Sequence, residues 1–286
     1  EVLTSDLSRI ASLFVLARNT AFTYKGKATN VQDIGRELGV RYVLEGSVQK
    51  AADHVRIVAQ LIDTTTGSHI WSERYDRPLK DIFALQDEIV QKIVNTLKLQ
   101  LTLEEQGHLI RKRTDNLEAY DTFLRGVEYF LRFTKEGNAR ARPLFEKAIE
   151  LDPHYAEAHV YLGWTYFTAW AQQWSPGPQT LQRAFALGQQ ALAFDGALPR
   201  AHAVLSWIYM AQAKYEPAVA AAERAIALNP NDAESYVTLA GVFNVFGERT
   251  AEAIALIEKA IHLDPRYHVV YPYHLGWAYN LVGRYE

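Results

Sequence analysis

From residue 118 to the carboxyl end, apolar positions recur with the spacing of a helix, and the pattern doubles back on itself at regular intervals. The clearest unit is Pro199 to Asp232, PRAHAVLSWIYMAQAKYEPAVAAAERAIALNPND. It predicts two amphipathic helices joined by a short turn. The first carries Leu205, Ser206 and Tyr209, and the second lines Ala218, Ala222 and Ala225 along one face, where small side chains let two helices approach closely. Asn229 and Pro230 end it, because proline cannot donate to the preceding turn and pushes its neighbour out of helical geometry. A single hairpin of this kind cannot bury its own apolar face, so copies must stack.

The amino-terminal third has a different rhythm. Ser5 is placed to cap a short helix reaching Leu13, Phe14 to Arg18 reads as a strand, and TAFTYKGKATN reads as turn and loop. Asn30 precedes the helix VQDIGREL, which Gly39 can stop in a left-handed conformation. The period then falls to two. Tyr42, Leu44 and Val48 share one side, Val55, Ile57, Ala59 and Leu61 share one side of the next run, and His69 to Tyr75 forms a third. The links AADH and DTTTG have hairpin length, so an antiparallel meander is expected. A longer helix from about Asp81 carries Ile82, Leu85, Ile89, Ile93 and Leu97 toward the sheet.

Two sets of residues carry family resemblances. The helical hairpins repeat a leucine, small residue and aromatic at Leu124, Gly126 and Tyr129, at Leu162, Gly163 and Tyr166, at Leu239, Ala240 and Phe243, and at Leu275, Gly276 and Tyr279. Each closes on AIELDP (Ala148–Pro153), AIALNP (Ala225–Pro230), AIHLDP (Ala260–Pro265) or the degenerate ALAFDG (Ala191–Gly196). Successive closures lie 43, 34 and 35 residues apart, the excess falling in the loop WSPGPQT. This half of the chain is similar to the tetratricopeptide repeat (TPR) family, whose period is about 34 residues.

The words IGRELGVRYVLEGSVQK, VRIVAQLIDTTTGSHIWSERYDR and DIFALQDEIVQKIV resemble a TolB-like amino-terminal domain lacking its first strand. The organisation expected is a TolB-like α/β domain at 1–101, a helical connector at 102–117 and a TPR domain at 118–286 with four repeats plus the first helix of a fifth. The fold class is α/β plus all-α, a mainly antiparallel sheet followed by a right-handed TPR α-solenoid. The resemblance implies a parent in which these domains follow a class III adenylate or guanylate cyclase catalytic domain, with a winged-helix DNA-binding regulator or a TolB-related envelope assembly protein as alternatives.

Chemistry narrows this further. Net charge is -3 with basic residues scattered, so no nucleic-acid footprint is expected. The chain has no cysteine, which excludes disulfides and thiolate metal sites, and no apolar run nears the roughly 20 residues of a membrane span. Gly26-Lys27-Ala28-Thr29 is no phosphate loop, because Ala21 stands where the first glycine belongs and Ala28 where a hydroxyl must reach magnesium. No histidine pair has metal spacing, and His154 and His159 are read as surface or satisfied core residues. No catalytic residue, cofactor or metal is therefore expected, and the cytoplasm is the expected compartment.

The remaining candidate is a binding surface. On the polar side of the sheet, Glu45, Arg56, Gln60, Glu73 and Tyr75 beside Trp71 are expected to face solvent or a neighbouring domain. In the repeats, the family's concave face is expected to present Val127, Phe130, Trp164, Phe167, Trp207, Met210, Asn244, Trp277 and Asn280 to a protein or peptide partner, unless the large residues among them pack against one another as core. Lysine and arginine are missing from these positions, which disfavours capture of an acidic peptide tail. Both ends read as cut, so the chain is read as a fragment of a longer protein, in which the resemblance implies an upstream output domain; the apolar face of the last helix, with Tyr273, Trp277 and Leu281, invites a homodimer.

Overall fold

The period-two stretch folds, in the computed structural model, as a three-stranded antiparallel meander of β1 (Tyr42–Ala51), β2 (His54–Asp63) and β3 (Ser68–Pro78) in that order. The structure describes residues 2–27, 29–99, 101–102, 106, 114–266 and 270–283. Ala52 turns the first hairpin at φ 49°, and Gly67 helps turn the second at φ 72°, where the Asp63 carboxylate accepts the Thr65 N–H at 2.8 Å. Register decides the faces. Leu44, Leu61 and Trp71 lie in one cross-strand row, and Val48, Ile57 and Tyr75 in a parallel row on the same face.

Three short helices precede the sheet, α1 (Val2–Leu7), α2 (Arg18–Phe22) and α3 (Val31–Leu38), and α4 (Ile82–Thr96) follows it. Helix α3 begins and ends as its sequence requires: the Asn30 side chain accepts the Gln32 N–H, and Gly39 adopts φ 65°. Helix α4 packs on β2 and β3, burying Leu85, Ile89 and Ile93 against a face that holds Val55, Ala59, Leu61, Trp71 and Tyr75.

Three expectations fail here. Helix α1 stops at Leu7, and Phe14 to Arg18 joins no ladder; the chain instead winds into α2 at Arg18. Branched and aromatic residues favour a strand only where a neighbouring strand pairs with them, and no strand of this sheet does so. The supposed polar face is also divided. Glu45, Arg56 and Gln60 do lie on the open face, where Arg56 pairs with Asp76 at 2.7 Å. Glu73, Tyr75 and Trp71 have the opposite parity and sit under α4. There the Tyr75 hydroxyl donates to Glu73 and Lys92 of α4 donates to the same carboxylate at 3.0 Å. The Tyr75 hydroxyl, followed by Lys92, holds the Glu73 carboxyl below its ordinary range.

The chain divides into two units, Glu1–Lys112 with Leu263–Tyr267, and Arg113–His262 with His268–Glu286. Most of the expected connector, 103–105 and 107–113, lies outside the described residues. The second unit is helical: α5 (Leu117–Phe130), α6 (Lys135–Leu151), α7 (Ala156–Ala171), α8 (Pro178–Phe194), α9 (Pro199–Ala211), α10 (Tyr215–Leu228), α11 (Ala233–Phe246), α12 (Thr250–Leu263) and α13 (Val270–Leu281).

Pairs α5/α6, α7/α8 and α9/α10 form hairpins, and each second helix also packs on the next first helix. Small residues make these approaches close, as anticipated. Ala141, Ala148, Ala184, Ala191, Ala218, Ala222, Ala225, Ala253 and Ala260 are all fully buried, and the Ser206 hydroxyl donates across the α9/α10 hairpin to the Ala218 carbonyl at 2.7 Å. Phe145 fills the space beside Gly126 and touches Phe123 and Tyr161; burying such a ring is worth about 1.5–3 kcal/mol. The closing motifs are pinned by a recurring bond. Six residues beyond the first three closures, His159, His202 and Tyr236 bond the carbonyls of Pro153, Gly196 and Pro230 at 3.0, 3.1 and 2.9 Å.

Candidate functional site

First helices touch first helices. The series α5, α7, α9, α11 and α13 is joined by contacts between each member and the next, whereas among the described residues no comparable row links α6, α8 and α10. A row of closely spaced helices backed by a wider row is the inner side of a curve, so the first helices line the concave face. The last four of them share one chemistry, while α5 carries Glu118, Asp121, Arg125 and Glu128. Helices α7, α9 and α11 each place one charged residue in the first turn, Glu157, Arg200 and Glu234, and none beyond it; α13 has none at all.

The nine expected wall residues separate into two groups. Val127, Phe130, Phe167 and Asn244 are buried, Val127 at 1% exposure and Asn244 at 2%. They hold helices together, with Phe130 edge-on to Tyr161 at 5.8 Å and the Asn244 side-chain amide donating to the His274 carbonyl at 2.9 Å. Side chains that point at a neighbouring first helix are spent on packing and cannot meet a ligand. Trp164, Trp207, Met210 and Trp277 are half-buried and Asn280 is exposed, and these five remain on the surface.

Ring contacts connect the wall across repeats. Within α7, Trp164, Phe167 and Trp170 lie one turn apart, with centroids separated by 5.7 and 6.2 Å. Phe167 meets Trp207 of α9 at 6.3 Å, Trp207 meets His274 of α13 at 5.8 Å, and His274 stacks on Trp277 at 6.2 Å and 15°. Tyr273, 65% exposed, closes the series edge-on to Trp277 at 6.1 Å. Trp207 and His274 belong to helices on either side of α11, and they meet because Gly241 lies between them. A Cβ there would stand 2.9 Å from the Trp207 ring and 3.3 Å from that of His274. The Trp207 indole N–H donates to the Thr238 hydroxyl at 3.0 Å, which fixes the ring's tilt.

His274 is the residue that periodicity did not single out. It is 6% exposed, and burial alone pushes its pKa down to about 4, so the ring is neutral near pH 7. Its only sequence signal is its place three residues before Trp277. His159 and His202 are lowered chiefly by burial, each bonding a backbone carbonyl. Among the described residues there is no group of histidines, cysteines or carboxylates able to hold a metal, and no helix long and apolar enough to cross a membrane.

Comparison with known proteins agrees with the helical unit. Residues 131–199 and 204–268 match the tetratricopeptide repeat family. A protein of Rhizobium meliloti (strain 1021), provisionally named adenylate cyclase 3, is 44% identical over 213 residues, 73% of this chain. Those residues are 36% of that relative, so the chain spans about a third of its length. Among solved structures, a thermophilic TPR protein of Thermus thermophilus is 21% identical with a TM-score of 0.47, covering 58% of this chain and 84% of that one. MamA is 23% identical with a TM-score of 0.40, covering 58% and 84%. YrrB, described as a TPR protein with an unusual peptide-binding site, is 19% identical with a TM-score of 0.38, covering 65% and 86%.

Proposed function

We propose that this chain, whose second unit is built of tetratricopeptide repeats, is a non-catalytic regulatory segment of a bacterial signalling protein, an adenylate or guanylate cyclase, and that its repeats hold a protein partner. In this reading the first unit is a TolB-like module that couples the repeats to an upstream output domain in the cytoplasm, and a homodimer through α13 is the expected assembly. The likeness to the Rhizobium meliloti relative supports the cyclase parent.

The observation that carries the binding role is the concave face itself: past their first turns, four successive first helices offer aromatic rings and no charge. Burying a charged side chain against such a wall without a counterion would cost several kcal/mol. The partner segment is therefore apolar and uncharged where it lies on Trp207, Met210 and Trp277, with Asn280 free to bond its backbone.

The test is selection of peptides from a displayed random library on the 286-residue chain. Recovered sequences should be rich in apolar residues, and their affinity should fall at least tenfold on Trp277→Ala, with circular dichroism confirming that the variant is folded. Peptides that bind the variant as tightly as the parent would remove the wall from the site.

A further inference from the structure

The second repeat is longer than its neighbours, and the additional residues build something. Helix α7 ends at Ala171, and the chain loops through Trp174, Ser175 and Pro176 before Pro178 starts α8. The loop is held. The N–H groups of Trp174 and Ser175 both donate to the Ala169 carbonyl at 2.9 Å, and the Ser175 and Thr180 hydroxyls bond across it at 3.0 Å. Pro176 and Pro178 each fix their own φ, so little freedom is left to lose on binding.

Between this loop and the end of α9 lies a cleft of about 350 Å³, lined by Trp170, Pro176, Pro178, Leu181, Gln182 and Gln212. That volume is at the low end of the roughly 300–1,000 Å³ typical of ligand pockets, and suits one large side chain rather than a whole cofactor. Its walls are an indole, two pyrrolidine rings and a leucine, with two neutral amides and no charge. The Gln212 side-chain oxygen is buried and meets no donor. A buried acceptor without a partner carries a desolvation penalty that an N–H supplied by a ligand would relieve.

We infer that this cleft receives a tryptophan side chain of a peptide partner, its indole stacked against Trp170 between the prolines and its N–H donated to the Gln212 oxygen. A flat apolar group with a single N–H donor satisfies both the walls and the unpaired oxygen. Phenylalanine satisfies only the walls, and proline lacks the donor. Trp170 is also the end of the ring series that runs through Phe167 to Trp207, so the cleft continues the wall and anchors one end of a segment lying along it. The inference rests on the reading of the repeats as a peptide-binding unit.

The experiment titrates N-acetyl-tryptophanamide, N-acetyl-phenylalaninamide and N-acetyl-prolinamide into the 15N-labelled 286-residue chain, following the Trp170 indole signal and, in every variant, the backbone amide of Leu181 in the cleft wall. The tryptophan amide should shift these signals saturably and bind about five- to tenfold more tightly than the phenylalanine amide, the ratio expected of one hydrogen bond. Gln212→Leu should abolish the preference while keeping the phenylalanine amide's affinity, and Trp170→Ala should remove binding of both. Absence of a saturable shift, equal affinities in the parent chain, tighter binding of the proline amide, or a preference that survives Gln212→Leu would each overturn the assignment. None of these outcomes depends on Trp277, so failure here and failure of the wall are separable.

Discussion

Gly126 and Gly276 occupy the same position of the repeat, the small residue two or one places after the leucine of a first helix, yet their surroundings are opposite. A Cβ on Gly126 would lie 2.6 and 2.8 Å from two ring carbons of Phe145. Phe145 is fully buried and packed on Phe123 and Tyr161 at 5.7 and 5.4 Å, so the ring has little room to retreat. Overpacking of this kind costs about 1–3 kcal/mol, while alanine in place of glycine inside a helix returns about 1 kcal/mol. With contacts this short against a fully buried ring, the upper half of that range applies, about 2–3 kcal/mol, so Gly126→Ala should destabilise by roughly 1–2 kcal/mol net. At Gly276 a Cβ meets nothing within 4 Å, so Gly276→Ala keeps the propensity gain alone, about 0.5–1 kcal/mol.

At about 2–4 °C per kcal/mol for a unit of this size, the first variant should melt roughly 2–8 °C lower and the second about 1–4 °C higher. Thermal melts followed by circular dichroism, with urea unfolding as a second measure, read both. Repeat arrays unfold by neighbouring units, so the shift should be largest in the transition that includes α5 and α6 for Gly126→Ala. If Gly126→Ala melts at or above the parent, the packing of Phe145 on α5 is misjudged and the geometric argument fails.

Other outcomes follow from the same structure. The His274 pKa, near 4 when folded and about 6.5 when unfolded, means the folded state disfavours the protonated ring; stability is full above pH 6.5 and is lost as pH falls toward 4, by up to roughly 3 kcal/mol. Urea unfolding between pH 7 and pH 4 should show that loss, and His274→Phe should flatten it; an unchanged slope would place His274 outside the packed wall. Ala218→Leu, which forces a larger side chain between α9 and α10, should cost on the order of 1–3 kcal/mol, and a melting shift under about a degree would contradict it. Trp207→Phe keeps the ring but removes the 3.0 Å bond to Thr238, which then retains its own bond to the Glu234 carbonyl; a loss of about 0.5–1.5 kcal/mol is expected from chemical denaturation. Asn30→Ala should lower the stability of the first unit by about 1 kcal/mol through loss of the α3 cap, seen as faster amide exchange at Gln32.

The repeats were legible because their information is local and redundant. The small residue and aromatic recur three positions apart, with a leucine just before and a closing motif after each second helix, so an error at one position is corrected by the others, as the degenerate ALAFDG closure shows. The meander was equally plain, since strict alternation in Val55 to Leu61 admits one face for burial. Phe14 to Arg18 was misread because strand propensity says what a residue tolerates, while a strand exists only where another strand completes its hydrogen bonds.

Trp71, Glu73 and Tyr75 were assigned to the wrong side for a related reason. Their polar and aromatic character suggested solvent, but parity along β3 and the Lys92 ammonium of α4 provide a covered place for them. The same distinction governs the candidate site: periodicity identified which residues lie on the first helices, but it could not separate Val127, Phe130, Phe167 and Asn244, which pack, from Trp207 and Trp277, which remain at the surface. Whether a ring on the concave side is covered depends on how closely the next helix approaches.

The order of elements, the helical period and the lack of charge past the first turns of α7, α9, α11 and α13 are written in the chain, because each is set by neighbours within a few residues. Gly241 shows what is not. Nothing near it in sequence announces that Trp207, 34 positions earlier, and His274, 33 positions later, would touch across the gap its missing side chain leaves. That contact, the burial of His274 and the cleft beside Trp170 arise only when separate helices are brought together, since burial is a property of the assembled surfaces and not of any residue alone.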